Sequence, residues 1–144
     1  MAKLILVTLV LFGGYASADS CAQFVGNFAA ELDCAGITPH SGVQVKWQED
    51  QSTLTLIYDL PSKHPMGAQV YIADGQEHSG DSVNTGDTYS ASCTGDKIEI
   101  RRVFSSFKWP IDTELKFIQD GLNYIEKFEG RDGATVCRFE RKNP

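Results

Sequence analysis

From Gly42 onward the apolar residues return at every second position, a spacing that gathers them on one face of a strand and scatters them around a helix. Val43, Val45 and Trp47 alternate with Gln44, Lys46 and Gln48. After the polar turn Glu49-Asp50-Gln51-Ser52 the rhythm resumes with Leu54, Leu56, Tyr58 and Leu60. Val70 and Ile72 form a shorter run, and Tyr89, Ala91 and Cys93 form the next. Thr94-Gly95-Asp96 interrupts the chain before Ile98 and Ile100, which alternate with Lys97, Glu99 and Arg101. Leu115 and Phe117 lead to Asp120-Gly121, Leu122 and Tyr124 follow, and Ala134 to Glu140 closes the series with Thr135, Cys137 and Phe139 on one face.

Each run therefore has one buried and one wet side. The Asp120-Gly121 pair predicts a type I′ hairpin, whose two central residues take positive φ. Glu129-Gly130-Arg131-Asp132-Gly133 predicts a second turn with glycines for left-handed positions. The intervals are too short for parallel crossovers, so neighbouring strands are antiparallel. About seven or eight strands in meander order predict an all-β fold: a single antiparallel meander closed into a small barrel, with a two-layer sandwich as the alternative. Closure removes unpaired edges and favours the barrel. Phe24, Gly26, Phe28, Ala30 and Leu32 share parity, while Phe24, Phe28 and Leu32 also fit one helix face. Gly26 weakens the helix, so the reading is a first strand over about 26–32 that pairs with the last.

The N-terminus carries a different signal. Lys3, the apolar block Leu4 to Phe12 and the small-x-small sequence Ala16-Ser17-Ala18 have the form of an export leader cleaved after Ala18. The block is shorter than the roughly 20 residues a membrane span needs. Residues 19–144 then form one domain, secreted or periplasmic. A bacterial lipoprotein signal ending at Cys21 is the competing reading, disfavoured by Ala18 and Asp19 before the cysteine. Removing Lys3 with the leader takes the formal charge from −6 to −7. An acidic surface repels phosphate, which argues against nucleic-acid and anionic-membrane partners. Nothing in the sequence suggests more than a monomer.

An exported chain keeps its cysteines oxidised, so Cys21, Cys34, Cys93 and Cys137 are expected to form two disulfides. Three pairings are open. If Cys34 bounds a strand, Cys34–Cys93 with Cys21–Cys137 would tie the start of the chain to its middle and end. The spacing lacks the two close pairs of a structural zinc site. His40, His64 and His78 share no ligating motif, so no metal is expected and each histidine reads as a loop residue in water. Asp74 to Asp87 reads as a long strandless loop containing Asp74, Glu77, Asp81 and Asp87 without the ligand spacing of a calcium loop.

Phe24-Val25-Gly26-Asn27-Phe28 resembles the aromatic-x-Gly-x-aromatic opening of the lipocalin-like (calycin) barrels, with Phe28 where that family usually carries tryptophan. The meander and the late Cys137 are similar in outline, over Phe24 to Arg141. The resemblance implies a small exported barrel with an apolar ligand between its walls.

Function follows less directly than fold. No Gly-x-Ser-x-Gly elbow or zinc motif is present, and the adjacent Glu49 and Asp50 sit in a wet turn, so catalysis is the minority reading and no cofactor is implied. The preferred reading is an exported non-catalytic binding protein that holds a small apolar ligand. The alternatives are a secreted protein-interaction or enzyme-inhibitor module and a small hydrolase. Trp47, Leu56, Tyr58, Tyr89 and Phe117 are candidates to line a cavity and would serve equally as core. Phe104, Phe107 and Trp109, beside Arg101, Arg102 and Lys108, read either as a plug at one end or as an aromatic, locally basic rim for a protein partner.

Overall fold

The computed structural model describes residues 18–30, 42–59, 68–106 and 110–143. A 3-10 turn over Ala18–Phe24 precedes ten strands: β1 (Gly26–Ala30), β2 (Gly42–Gln48), β3 (Thr53–Asp59), β4 (Gln69–Ile72), β5 (Glu77–Ser79), β6 (Thr88–Thr94), β7 (Lys97–Val103), β8 (Ile111–Ile118), β9 (Gly121–Phe128) and β10 (Thr135–Arg141). All lie in one antiparallel sheet, ordered β4-β3-β2-β1-β10-β9-β8-β7-β6-β5. A single continuous sheet curling on itself is the expected barrel and removes the two-layer alternative.

The closing contact is the predicted one. Phe28 pairs with Arg141, Ala29 with Glu140 and Ala30 with Phe139, joining the first strand to the last. Within the described residues that strand covers Gly26–Ala30; Leu32 lies outside them. The count rises from seven or eight to ten partly because Glu77–Ser79, in the stretch read as strandless, pairs with β6. Three polar or half-buried residues carry no alternation that reveals a strand.

The break in the wall falls between β4 and β5, the two ends of the strand order. No ladder joins them. Instead the Ile72 N–H donates to the Tyr89 hydroxyl on β6 at 3.1 Å, so a side chain spans a gap that backbone hydrogen bonds cross elsewhere.

Period two decides what fills the interior. Val43, Val45, Leu54, Leu56, Tyr71, Ile98, Leu115, Leu122 and Phe139 point inward and are essentially inaccessible. One end of the barrel is sealed by the chain's own beginning. Phe24 is buried and packs edge-on against Phe117 at 5.9 Å, and the Gln23 amide donates to the Gly95 carbonyl in the β6–β7 turn. The Arg141 guanidinium lies over Phe28 at 5.0 Å and Phe117 at 5.3 Å and reaches the carbonyls of Val25 and Gln23. Among the described residues no helix is long and apolar enough to cross a membrane.

A disulfide from Cys21 to Cys93 bolts this seal to β6. It excludes both pairings expected from the sequence, because each used one of these two sulfurs with a different partner. Cys21 belongs to the sealing turn and lies beside the end of β6, with a Cα–Cα distance of 5.2 Å. Alternation along the strands says nothing about where that turn folds back. With its sulfur in a disulfide, Cys21 has no thiol to carry a lipid. Cys137 is also disulfide-bonded, and Cys34 lies outside the described residues.

The β8–β9 hairpin differs from expectation in an instructive way. Ile118 pairs with Gly121, which makes Gln119-Asp120 the two-residue loop. Neither takes positive φ, nor does Gly121, so the turn is not type I′. Gly121 is required for a different reason: a Cβ there would stand 1.9 Å from the Phe139 carbonyl oxygen on β10. The glycine allows close strand approach rather than an unusual backbone. Gly130 and Gly133, by contrast, adopt φ of 81° and 91°, as the second predicted turn requires.

Two stability measurements follow. Gly121→Ala forces the start of β9 away from β10 and should cost about 2–3 kcal/mol in urea unfolding. Gly95→Ala, with φ +56° and open space around it, should cost only about 1 kcal/mol. Replacing both Cys21 and Cys93 with alanine releases a crosslink spanning 72 residues and should lower stability by about 4 kcal/mol through the unfolded chain.

Candidate functional site

Continuing the inward parity of Ile98 and Ile100 brings Arg102 into the barrel, where it is 6% exposed. The same parity along β9 carries Leu122, Tyr124 and then Glu126 inward. Ladder register aligns them: Tyr89 faces Arg102, and Thr113 on β8 faces Glu126. Arg102 Nη2 donates to Thr113 Oγ1 and to Glu126 Oε2, both at 2.9 Å. The Tyr124 hydroxyl donates to the same Glu126 oxygen at 2.6 Å. Arg102 Nε is buried and has no hydrogen-bond partner among the described residues.

Aromatic rings surround this cluster. Tyr58 meets Tyr124 edge-on at 6.5 Å, and Tyr124 meets Phe139 at 6.2 Å. Tyr71 meets Tyr89 at 5.1 Å and donates its hydroxyl to Gln69 Oε1 at 2.7 Å, both residues being buried. Burial pushes the hydroxyls of Tyr58, Tyr71 and Tyr124 above the ordinary phenol range, so they remain protonated donors. Burial alone would weaken the Arg102 charge, but its surroundings (Tyr71, Tyr124, Tyr58 and Glu126) reverse the effect and raise its pKa. The phenols are uncharged near neutral pH, so Glu126 is the ion that balances Arg102 there.

Such a pair is costly. Desolvating two charges offsets much of their attraction, and an apolar core of equal volume is often no less stable. Among the described residues this is the one ion pair that reaches inside the barrel, with Arg102 buried and Glu126 20% exposed, and with Arg102 Nε left over it is the feature that stability explains least.

The five cavity candidates all face inward. Leu56, Tyr58 and Tyr89 are buried, and Trp47 and Phe117 are half-buried and pack against the core. Phe117 meets the sealing turn, and Trp47 pairs with Leu54. Trp47 Nε1 is a second buried donor without a hydrogen-bond partner among the described residues. The supposed rim divides. Phe104 is buried, with the Arg102 guanidinium 6.0 Å from its ring centre, whereas Phe107, Lys108 and Trp109 lie outside the described residues. Arg101 points outward to Asp112 at 3.1 Å and Glu129 at 2.5 Å. Adjacent arginines on a strand occupy opposite faces, so Arg101 and Arg102 do not make a shared basic patch.

The acidic stretch is spent on itself. Asp81 Oδ1 accepts from the N–H groups of Val83, Asn84 and Thr85. Asp74 accepts from the Gln76 N–H and lies 2.8 Å from His78 Nε2. Asp87 accepts from Ser82 Oγ at 2.6 Å and from the Ser105 N–H. Slight burial opposes the Asp81 charge, but those hydrogen bonds outweigh it and hold its carboxyl well below the usual range. His78 is not a free loop histidine: it sits on β5, half-buried, 5.6 Å from the Tyr89 ring. His40 and His64 lie outside the described residues.

Two of the grooves on the outside involve strands β4 to β9. One of about 340 Å³ crosses the outer face of β6–β9 and is lined in part by Glu99, Arg101, Asp112 and Glu114; Lys97 bonds Glu99 and Glu114 there, the pattern of a wet, salt-bridged face. The other, about 280 Å³, runs along the β4–β5 break between Ala68, Val70, Ser79, Gly80, Asp81, Thr85 and Tyr89.

No protein-family model and no curated protein sequence matches the chain. Solved structures do resemble it. A REP1-NXSQ fatty acid transporter aligns with TM-score 0.62 at 10% identity, over 85% of this chain and 98% of that one. A Schistosoma mansoni fatty acid binding protein in complex with arachidonic acid aligns with TM-score 0.62 at 11% identity, over 86% and 99%. Secretory abundant heat soluble protein 4 from Ramazzottius varieornatus aligns with TM-score 0.59 at 11% identity, over 83% and 95%. At such identities the likeness is one of fold alone, an antiparallel barrel of ten strands.

Proposed function

We propose that this chain is an exported, non-catalytic protein that holds a small apolar molecule inside its barrel. The observation that carries the reading is the buried Arg102 Nε, a donor without a hydrogen-bond partner among the described residues, at the edge of an aromatic and aliphatic interior. A buried unmet donor costs about 1–3 kcal/mol, and a ligand oxygen would recover it. The two ends of the barrel suit this role. The sealed end is filled by Leu54, Ile98, Leu115 and Leu122, all fully buried, and these apolar side chains would have to part to admit a hydrocarbon tail. Arg102, Thr113 and Glu126 lie farther along the same strands, where a polar head would stop.

The fold likeness supports this reading, since two of the similar structures are described as a fatty acid transporter and a fatty acid binding protein. The Cys21–Cys93 disulfide and the oxidised Cys137 support export, because such bonds persist outside reducing compartments. The break between β4 and β5, bridged by the Tyr89 hydroxyl, offers a place where the wall opens without breaking a ladder.

Titration with Nile red, an uncharged fluorophore that brightens in apolar surroundings, tests the proposal. Saturable binding at one site per chain, with a Kd below about 10 μM, is the expected result. Leu56→Arg, which places an unpaired charge in the interior, should weaken it at least about tenfold. Absence of saturable binding to the wild-type protein would remove the reading.

A further inference from the structure

The wall of the barrel ends in two free edges, and they are built differently. The Ala73 N–H donates to the Ser52 carbonyl on the β3 side, whereas the Ile72 N–H points away from β3 to the Tyr89 hydroxyl. Backbone groups alternate from side to side along an antiparallel strand, so the N–H and C=O of Val70 face the break. Across it, the Gly80 N–H donates to the Asp87 carbonyl on the β6 side, which turns the backbone groups of Glu77 and Ser79 toward the break. Among the described residues no strand pairs with either edge. The groove of about 280 Å³ lies between them, lined in part by Val70, Ser79, Asp81 and Tyr89. Free edges are normally blunted by lysine, proline or brevity. Strand β5 follows that rule, with three residues and an exposed Glu77. Strand β4 carries neither lysine nor proline, and its outward side chains are apolar: Val70 is 48% exposed and Ile72 39%. The charge around the groove has one sign. From Ala68 to Thr88 the chain holds Asp74, Glu77, Asp81 and Asp87 and no lysine or arginine. Lys46 on β2 and Arg101 on β7 each stand two strands back from the break. Glu77 makes no ion pair among the described residues, and the carboxylate of Asp81 is held ionised by the N–H groups of Val83, Asn84 and Thr85.

We propose that the β4 edge at the break docks a short extended segment of a partner protein in which basic and apolar residues alternate. Such a segment adds to the sheet by exchanging two backbone hydrogen bonds with Val70. Its side chains then alternate between the two faces of the wall. A lysine or arginine on the outer face lays its aliphatic stem along Val70 and Ile72 and carries its charge toward Glu77 and Asp81. The apolar residues between turn inward to Tyr89. An acidic segment makes the same backbone bonds but meets like charge. A second copy of this chain is disfavoured on the same ground, because it brings its own acidic stretch to the edge and a net charge of −6. This surface lies on the wall and is independent of whether the interior admits a ligand.

Fluorescence anisotropy of a labelled hexapeptide, Lys-Val-Lys-Val-Lys-Val, titrated with the protein at low ionic strength, tests the proposal. A Kd below about 100 μM is the expected result, with Glu-Val-Glu-Val-Glu-Val at least about tenfold weaker. Val70→Pro removes the donor N–H, which takes no part in the β3 ladder, and should weaken binding at least about tenfold. Val70→Lys keeps that N–H but sets a like charge beside the docked lysine, and should do the same. Glu77→Lys should weaken binding about fivefold or more, whereas Glu140→Lys, the same charge reversal at an exposed position on β10 four strands from β4, should change the Kd by less than about twofold. Absence of binding, equal binding of the two peptides, or equal losses in Glu77→Lys and Glu140→Lys overturns the proposal. A wild-type dimer in sedimentation that Val70→Lys dissolves also overturns it, by giving the edge to a second copy. If Val70→Pro does not fold, Val70→Lys and the comparison of Glu77→Lys with Glu140→Lys decide.

Discussion

Pairing between β1 and β10 is the contact on which the rest of the barrel depends. Without it the wall falls into two separate sheets, β4-β3-β2-β1 and β10-β9-β8-β7-β6-β5, with β1 and β10 as new open edges ready to recruit other chains. With Phe28 opposite Arg141 and Ala30 opposite Phe139, the first and last strands join the two halves into one wall whose break lies between β4 and β5. This pairing spans nearly the whole sequence, so its loop-closure entropy is large and it forms only if local structure supports it. The support is visible at the sealed end. Arg141, the last residue of β10, reaches back to the carbonyls of Gln23 and Val25 and covers Phe28 and Phe117. The Cys21–Cys93 bond then fastens the same corner to β6. Three separate devices converge on one rim because the ends of the chain meet there.

Much of this fold was legible in the sequence because burial writes itself into period two. The inward faces of β2, β3, β6, β7, β8, β9 and β10 are the alternating residues; the parity of Phe24, Gly26, Phe28, Ala30 and Leu32 suggested a first strand, and closure of a barrel suggested its pairing with the last. What was illegible lacks a periodic cause. Strand β5 has three residues and one half-buried side chain, so no alternation marks it. The disulfide partner of Cys21 depends on where a 3-10 turn folds under the barrel, a tertiary fact with no local signature. Gly121 was recognised as a turn residue for the wrong reason: the Asp-Gly pair suggested positive φ, whereas contact with the Phe139 carbonyl is what excludes a side chain.

The site shows a subtler failure of the same reasoning. Arg102 and Glu126 continue the inward parity of their strands, but a charged residue is habitually assigned to solvent, and parity was overruled by residue type. Arg102 was grouped with Arg101 because they are neighbours in sequence; on a strand that adjacency places them on opposite faces. Arg101 joins an exposed network with Asp112 and Glu129, worth little, while Arg102 faces Glu126 inside. Had the two charges been read as a pair of complementary violations on β7 and β9, the cluster would have been visible before the structure. A single inward charge suggests a misplaced strand end. Two of opposite sign, on strands separated by one neighbour, suggest a partner.

The position of that pair also explains why the barrel treats its two ends differently. At the sealed end, apolar side chains, an aromatic pair and a disulfide reinforce one another, and among the described residues Trp47 Nε1 is the buried side-chain donor left unmet there. Moving along the same strands, the wall changes from Leu115 and Leu122 to Thr113, Tyr124 and Glu126 within one or two residue pairs. The polarity of the interior thus changes along the barrel axis, apolar toward the seal and polar toward Arg102. The depth of the pair, rather than its strength as an ion pair, is what gives it meaning. Placed on the outer face, the same two residues would be one more screened salt bridge; facing inward, they mark where the apolar interior gives way to a polar one.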